Sequence, residues 1–167
     1  LRLLTQGMVL KDGAKMSKSK GNVVDPNYII DRYGADTLRV FLLFASPPDK
    51  DVEWSDEGIM GAFRFLNRIW RLIDENLDII QKGVKIEPDY TQISTKMRNL
   101  IYSMHKTIKK WREDCLDRMQ FNTAIAAVME HLNNCLVIKE VTELSDNEQA
   151  VFAQACIVFP PLVYPFA

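Results

Sequence analysis

Apolar residues recur at helical spacing from residue 55 to the end of the chain. Helix caps, a capping box and breaks in the pattern divide this part into four amphipathic helices. The pattern predicts helices from Ser55 to Gly83, from about Gln92 to Leu116, from Thr123 (capped by Asn122) to about Ile138, and from the capping box Ser145 to Glu148 up to the kink or stop at Pro160-Pro161. Short links between such helices predict an antiparallel four-helix bundle.

The same spacing predicts which side chains face the core. On the first and longest helix the predicted inward stripe is Ile59, Phe63, Leu66, Ile69, Trp70, Ile73, Leu77 and Ile80. Trp70 and Trp111 both fall in apolar stripes, so packing in the core is favoured over stacking on nucleic-acid bases.

The first 50 residues follow a different pattern. Gln6 to Leu10 forms a short apolar run, Asp12-Gly13 is a strong hairpin signal, and Ala14 to Met16 forms the returning strand. The pattern predicts a β-hairpin whose returning strand leads into a basic loop.

Two short helices are predicted after this loop. Asp25 caps the first, Pro26 takes its first helical position, and Gly34 ends it. The second runs from Ala35 to Ala45 and is apolar on most sides, so it is expected to be buried. Ser46 to Asp51, with two prolines, cannot continue a helix and marks a joint.

Composition sets limits on the class of protein. The chain has 167 residues, 47% of them hydrophobic, and a net charge of −1, so it can form one good core and shows no global basic bias. No apolar run approaches the roughly 18 to 20 residues of a membrane span. The last residues are apolar with no polar tail, so the natural protein is expected to continue.

The cysteines and histidines suggest no chemistry of their own. The three widely spaced cysteines argue against disulfides and zinc and for a reducing, cytoplasmic compartment, where they serve as small hydrophobes. His105 and His131 lie on different helices without a ligand set around them, so structural or surface roles are expected. No metal site is predicted.

The chemistry is concentrated in the loop from Lys15 to Asn22. Its first six residues hold three lysines and two serines, and Gly21 follows, so ammonium groups, hydroxyls and open backbone N–H groups suit a polyphosphate. The glycine spacing and the direct passage into a helix that define a Walker loop are both missing. The alternative is a solvated basic surface. Met16 is expected to hold the loop to its scaffold.

Several short motifs resemble those of class I aminoacyl-tRNA synthetases. Lys15 to Ser19 reads K-M-S-K-S and continues to Pro26 as in the leucine, isoleucine and valine members, and Tyr33 to Arg39 resembles their Y-G-A-D-x-x-R block. Ala45 to Pro48, with Asp51 to Ser55, is similar to bacterial-type leucyl-tRNA synthetases. The resemblance runs from about Gly7 to the carboxyl end, but the family's His-Ile-Gly-His signature, its nucleotide-binding strands and its editing domain have no counterpart here.

This resemblance implies a mostly α fold in two parts. Residues 1–50 would be the carboxyl-terminal edge of a Rossmann-like catalytic domain, and residues 51–167 a helical domain of the anticodon-binding type. The implied reaction joins leucine to ATP, with Mg²⁺, and transfers leucine to tRNA(Leu). This stretch alone is expected to be inactive, to hold no cofactor, and to belong to a monomer. The alternatives are a valyl- or isoleucyl-tRNA synthetase or a non-catalytic RNA-binding helical module.

The resemblance also implies roles for individual residues. Lys18 would contact the ATP phosphates with Lys15 as its partner, and both are the catalytic candidates. The ATP-binding candidates are Lys15, Met16, Ser17, Lys18 and Ser19.

One helix face is a candidate for binding RNA. Arg64, Arg68 and Arg71 are spaced i, i+4, i+7 and therefore share a side of the long helix. A basic helix face is usually solvated surface, but the resemblance implies docking on the body of the tRNA.

Overall fold

Helices make up most of the structure, a computed structural model that describes residues 5–138 and 140–167, so the mostly α prediction is confirmed. A small three-stranded sheet lies near the amino end. The strands are β1 (Val9–Lys11), β2 (Ala14–Lys15) and β3 (Val52–Glu53). The α-helices are α1 (Pro26–Tyr33), α2 (Ala35–Phe44), α3 (Asp56–Asp74), α4 (Leu77–Gly83), α5 (Thr95–Arg112), α6 (Phe121–Leu136), α7 (Asp146–Ile157) and α8 (Phe159–Val163).

The predicted hairpin is present. β1 and β2 pair antiparallel, with Leu10 opposite Lys15. Asp12 and Gly13 both have positive φ, at 55° and 69°, which is the geometry of a two-residue hairpin turn. The turn dipeptide read from the sequence therefore closes this hairpin.

The third strand was not predicted. Val52–Glu53 pairs parallel with β1 on the side opposite β2, with Val9 beside Val52. α2 ends at Phe44, just before the predicted joint around Pro47-Pro48. The chain then turns back toward the hairpin. Gly7 donates its backbone N–H to the carbonyl of Pro48 at 2.9 Å, and a Cβ on Gly7 would collide with the backbone of Lys50.

The two short helices are capped as expected. The Asp25 side chain accepts a hydrogen bond from the backbone N–H of Asn27 at 2.9 Å, and Pro26 is the first residue of α1. Gly34, with φ of 86°, separates α1 from α2. Burial of α2 is only partial, because Val40 and Phe41 are in the core while Phe44 is exposed.

The single long helix predicted from Ser55 to Gly83 is wrong. Ser55 caps it as expected, but the helix breaks after Asp74, and α4 begins at Leu77. Asn76 at the break has φ of −118° and donates from its side chain to the carbonyl of Leu72. Asparagine favours such local bonds over a continued helix.

The break also redirects α4 onto α7. Gly83 is buried so closely against α7 that an added Cβ would press on the Ala153 side chain and the Gln149 carbonyl. The break between α3 and α4 therefore depends on both the weak helix former at Asn76 and the packing of α4 on α7.

The predicted inward stripe of α3 is also partly wrong. The buried residues are Ile59, Ala62, Phe65, Ile69 and Leu72. Phe63 and Leu77 are exposed, and Trp70, predicted to pack in the core, is 71% exposed. It lines an open apolar groove of about 710 Å³ between α3 and α8. Trp111, in contrast, packs on the core and donates its indole N–H to the carbonyl of Leu162.

The ends of α5 and α6 differ from the prediction. Ser94 caps α5, so the helix starts at Thr95, and after Arg112 the chain continues as a π-helical turn over Glu113–Arg118. The predicted cap of α6, Asn122, lies inside the helix, which starts at Phe121 after an N-cap at Gln120 that makes no side-chain bond. The reversal at Met119, with φ of 55°, sets this earlier start.

Half of the predicted capping box is present. Ser145 accepts a hydrogen bond from the backbone N–H of Glu148, but the Glu148 carboxylate accepts one from the N–H of Ser94 instead. It thereby joins the starts of α5 and α7. Hydrogen bonding from Ser94 lowers the pKa of Glu148. α7 ends at Ile157, and Pro160 and Pro161 lie in the separate short helix α8, which begins at Phe159, so the helix is interrupted just before the proline pair.

Strand pairing and helix packing both connect the two sides of the predicted division at residue 50. β3 belongs to the same sheet as β1 and β2, and α2 packs on α3. The division into residues 1–50 and 51–167 stays a prediction, and residues 1–4 lie outside the described part. Within the described residues, none of the helices has the length and apolar character needed to cross a membrane.

Asp114 links the end of α5 to the start of α6. Its buried carboxylate, 2% exposed, accepts hydrogen bonds from Lys110 Nζ at 2.8 Å and Thr123 Oγ1 at 2.6 Å, and lies 3.4 Å from Arg118 Nη1. Burial alone would raise the pKa of Asp114, but the bonds from Lys110 and Thr123 and the nearby positive charges outweigh it, so the pKa lies below 3.8.

Replacing Asp114 by Ala should lower the free energy of unfolding by about 1–3 kcal/mol, because the charged hydrogen bonds from Lys110 and Thr123 are lost. Thr123 can still donate to the Gln120 carbonyl at 3.0 Å, and the half-exposed Lys110 can be resolvated, so no polar group is left buried without a partner. Chemical denaturation measures this change. The control is Glu113→Ala, which removes an exposed pair with Lys109 at 3.9 Å and should cost at most about 1 kcal/mol.

The Asp114 contribution should also depend on pH. Because the folded pKa is depressed, the contribution is present above the ordinary value of 3.8 and is lost as the pH falls through the folded pKa. The stability gap between the parent and Asp114→Asn should therefore narrow below about pH 4. A gap that stays constant down to pH 2 would contradict this assignment.

Candidate functional site

The basic loop is a single tight turn at the end of the hairpin. Ser17 is extended, with φ of −150°, and Lys18–Lys20 form one 3₁₀ turn that ends at Gly21. Gly21 has φ of 66°, in the left-handed region that favours glycine. The backbone N–H groups of Lys20 and Gly21 bond to the carbonyls of Ser17 and Lys18. The loop is therefore bent.

The lysines of the loop face solvent. Lys15 lies at the end of β2, and Lys18 and Lys20 lie on the turn, with all three side chains exposed. In the described part of the chain, no carboxylate lies within ion-pair distance of these lysines. Their ammonium groups are thus available to an anionic ligand.

Two uncharged residues of the loop are less exposed than its lysines. Met16 and Ser17 are half-buried, and the hydroxyls of Ser17 and Ser19 lie 3.2 Å apart, within hydrogen-bond distance. The expected scaffold role of Met16 is compatible with this partial burial and stays a prediction.

The arginines of α3 also face solvent. Arg64, Arg68 and Arg71 are all exposed. Arg68 differs from the others because its Nη2 donates to Asn133 Oδ1 on α6 at 2.8 Å. The face therefore combines two solvent-facing guanidinium groups with one that also joins α3 to α6.

Residues 2–55 match the family model "tRNA synthetases class I (I, L, M and V)", so the loop and sheet fall in the matched part. The chain is 52% identical over 165 residues to leucine–tRNA ligase of Syntrophobacter fumaroxidans and 60% identical over 131 residues to that of Geobacter sp. strain M21. These alignments cover 99% and 78% of this chain.

The chain belongs to the leucine–tRNA ligase family of class I tRNA synthetases. It spans 20% and 16%, respectively, of the length of these two leucine–tRNA ligases.

Solved structures support the fold. The ternary complex of Agrobacterium radiobacter K84 agnB2 LeuRS with tRNA and LeuAMS superposes with a TM-score of 0.79 at 32% identity, covering 97% of this chain and 20% of that one. Methionyl-tRNA synthetase of Mycobacterium tuberculosis, in complex with methionyl-adenylate, gives a TM-score of 0.68 at 24% identity, over 95% of this chain and 33% of its own. The second likeness concerns the fold alone.

The sequence analysis missed one residue that shapes the loop of this chain. The sequence pattern marks Asn22 only as the end of the motif, yet its side chain accepts a hydrogen bond from the backbone N–H of Ser17 at 2.9 Å. An asparagine directly after a left-handed glycine is the signal that could have identified it, because asparagine side chains often bond to nearby backbone.

The histidines have the structural or surface positions expected of them. His105 is exposed. His131 is fully buried, with Nδ1 3.1 Å from Ser103 Oγ and Nε2 2.8 Å from the Ala155 carbonyl. These contacts join α5, α6 and α7.

The cysteines are free thiols. Cys135 and Cys156 are buried, and burial together with the neighbouring Asp114 charge raises the pKa of Cys115 to about 11. A thiol with so high a pKa is a poor nucleophile at neutral pH. No group of three potential metal ligands occurs among residues 5–138 and 140–167.

Proposed function

We propose that the chain contributes the ATP-phosphate loop and a tRNA-docking helical part to a leucine–tRNA ligase, which activates leucine as leucyl-adenylate and transfers it to tRNA(Leu). The observation that carries this proposal is the exposed lysine turn on its hairpin, within a chain 52% identical over 165 residues to such a ligase. The identity also favours leucine over the valyl and isoleucyl alternatives.

The chemistry of adenylate formation explains the lysines. The leucine carboxylate attacks the α-phosphorus of ATP, the bond to the β-phosphate oxygen breaks, and pyrophosphate leaves. Negative charge therefore builds on the β- and γ-phosphates. Lys18, exposed on the 3₁₀ turn, supplies a compact positive charge that can follow this change, with Lys15 as a second cation at the base of the loop.

The donor set of the loop favours phosphate over a metal ion. Lysine ammonium groups repel a divalent cation, and serine hydroxyls alone bind one weakly. Mg²⁺ would accordingly arrive with ATP as part of the substrate. The three free cysteines support a reducing, cytoplasmic setting, and the monomeric state stays a prediction.

The domain arrangement is a further part of the proposal. Residues 1–50 would form the edge of a Rossmann-like catalytic domain, and residues 51–167 an antiparallel four-helix bundle of the anticodon-binding type. Packing of α3 on α6, α4 on α7 and α5 on both α6 and α7 supports the bundle. The segment through β3 and Ser55, at the start of the second part, would then lead from the sheet into α3.

The α3 face is proposed to contact the tRNA backbone. Arg64 and Arg71 are exposed and supply cations that can approach phosphates directly from solvent. Arg68 would have to share its guanidinium between Asn133 and RNA, or leave Asn133. Arginine, with five donors in a planar fork, is suited to either arrangement.

Replacing Lys18 by Ala in the complete enzyme should slow adenylate formation by roughly 10²- to 10³-fold, about 3 to 4 kcal/mol, the usual effect of removing one preorganised transition-state partner. Leucine-dependent pyrophosphate exchange measures this step. Leucine affinity should change little, because Lys18 is assigned to the phosphates.

The matched control is Lys20→Ala, which removes an equal charge from the same turn. With about three residues per 3₁₀ turn, Lys18 and Lys20 point in different directions, so Lys20→Ala should have a much smaller effect. Equal effects of the two variants would indicate a general charge effect. Exchange within a few-fold of the parent for Lys18→Ala would reject the phosphate role.

Replacing Arg64, Arg68 and Arg71 by Ala should weaken tRNA binding and reduce the magnitude of its salt slope by about one for each phosphate that is no longer neutralised. Titration of tRNA binding at several salt concentrations measures both effects. Adenylate formation should be almost unchanged.

Single variants separate the roles on this face. Arg68→Ala should also lower stability because it removes the bond to Asn133, whereas Arg64→Ala and Arg71→Ala should not. Lys82→Ala on α4 serves as the charge control. If the triple variant keeps the parent's tRNA affinity and salt slope, this face is ordinary solvated surface and does not bind tRNA.

A further inference from the structure

The side chain of Asn22 contacts three backbone groups around the base of the basic loop. Its Oδ1 accepts from the N–H of Ser17 at 2.9 Å, and its Nδ2 lies 3.4 Å from both the Lys11 carbonyl and the Lys15 carbonyl. One amide therefore touches the residue that precedes the turn and the last residue of each hairpin strand.

The other hydrogen bonds described for the turn close it on itself. Lys20 N–H bonds to the Ser17 carbonyl at 3.1 Å, Gly21 N–H to the Lys18 carbonyl at 3.2 Å, and the Ser17 and Ser19 hydroxyls lie together. These bonds shape the turn but do not tie it to the strands. The Asn22 amide makes that connection.

Only a carboxamide satisfies all three contacts at once. It offers an acceptor oxygen and a two-hydrogen donor on one planar group. Aspartate would keep the acceptor for Ser17 but place an oxygen against the Lys11 and Lys15 carbonyls, which also accept. Alanine would remove the link entirely and leave the half-buried N–H of Ser17 without this partner.

We propose that Asn22 is a positioning residue, which holds the turn on the hairpin so that Lys18 meets the ATP phosphates. This inference rests on the proposed function, because it acts through Lys18. The lysine side chain is long and flexible. If the backbone already holds the Cα of Lys18 in place, less conformational entropy is lost when ATP binds.

The test is a double-mutant cycle in the complete enzyme, with Asn22→Ala, Lys18→Ala and the double variant assayed by leucine-dependent pyrophosphate exchange. Asn22→Ala should reduce exchange by about 10- to 100-fold, the scale expected for misplacing a reacting partner. Because both changes remove the same contribution, the double variant should be little worse than Lys18→Ala alone.

The control is Asn67→Ala on α3, whose side chain also donates to a backbone carbonyl, that of Phe63 at 2.8 Å. It should leave exchange within about two-fold of the parent, since its amide bonds within α3, away from the loop. Thermal melting of every variant reports folding. If Asn22→Ala fails to fold, Asn22→Asp replaces it in the cycle and should also reduce exchange, because it keeps the bond from Ser17 but loses both donor contacts to the hairpin.

The outcomes separate the two ideas. If Lys18→Ala slows exchange but Asn22→Ala does not, the positioning role is wrong and the proposed function stands. If the two effects multiply in the double variant, Asn22 does not act through Lys18 and the inference is overturned. If Lys18→Ala has no effect, the phosphate role itself fails, and the positioning role fails with it.

Discussion

The parallel pairing of β3 with β1 is the constraint on which the arrangement of this chain depends. Val52 donates to the carbonyl of Met8 at 2.8 Å and Trp54 to that of Leu10 at 2.7 Å, immediately before α3 begins. A hairpin of two short strands is marginal by itself. The third strand fixes the hairpin, and with it the basic loop, to the start of the helix that presents the arginine face.

Several carboxylates accept hydrogen bonds from other parts of this structure, whereas several lysines and arginines face solvent. Asp51 and Glu53 accept backbone N–H bonds from the hairpin, Glu148 accepts one from the start of α5, and Asp114 lies buried between its basic neighbours. A chain with a net charge of −1 can thus still present positive surfaces at the loop and on α3. The binding of an anionic partner depends on where the positive charges lie on the surface, and not on the net charge of the chain.

Local chemistry made much of the fold predictable. The Asp12-Gly13 turn, the Asp25 cap with Pro26, and the Ser145 cap each depend on residues within about four positions along the chain. The signature loop was equally readable, because its lysines, serines and glycine are contiguous. Its tie through Asn22 was not, since two of the three contacts reach back to the hairpin strands.

The sequence by itself determined the helical class, the hairpin, most caps and the family, because these depend on short-range patterns. Only the tertiary structure decided the exposure of Trp70, the third strand and the Arg68 bond to Asn133. The break at Asn76 depends on both a weak helix former and the contact of α4 with α7. Periodicity shows that a helix has an apolar side, but α3 has two adjacent apolar stripes. Which of them is buried depends on the partner helices, and these lie far away in the sequence.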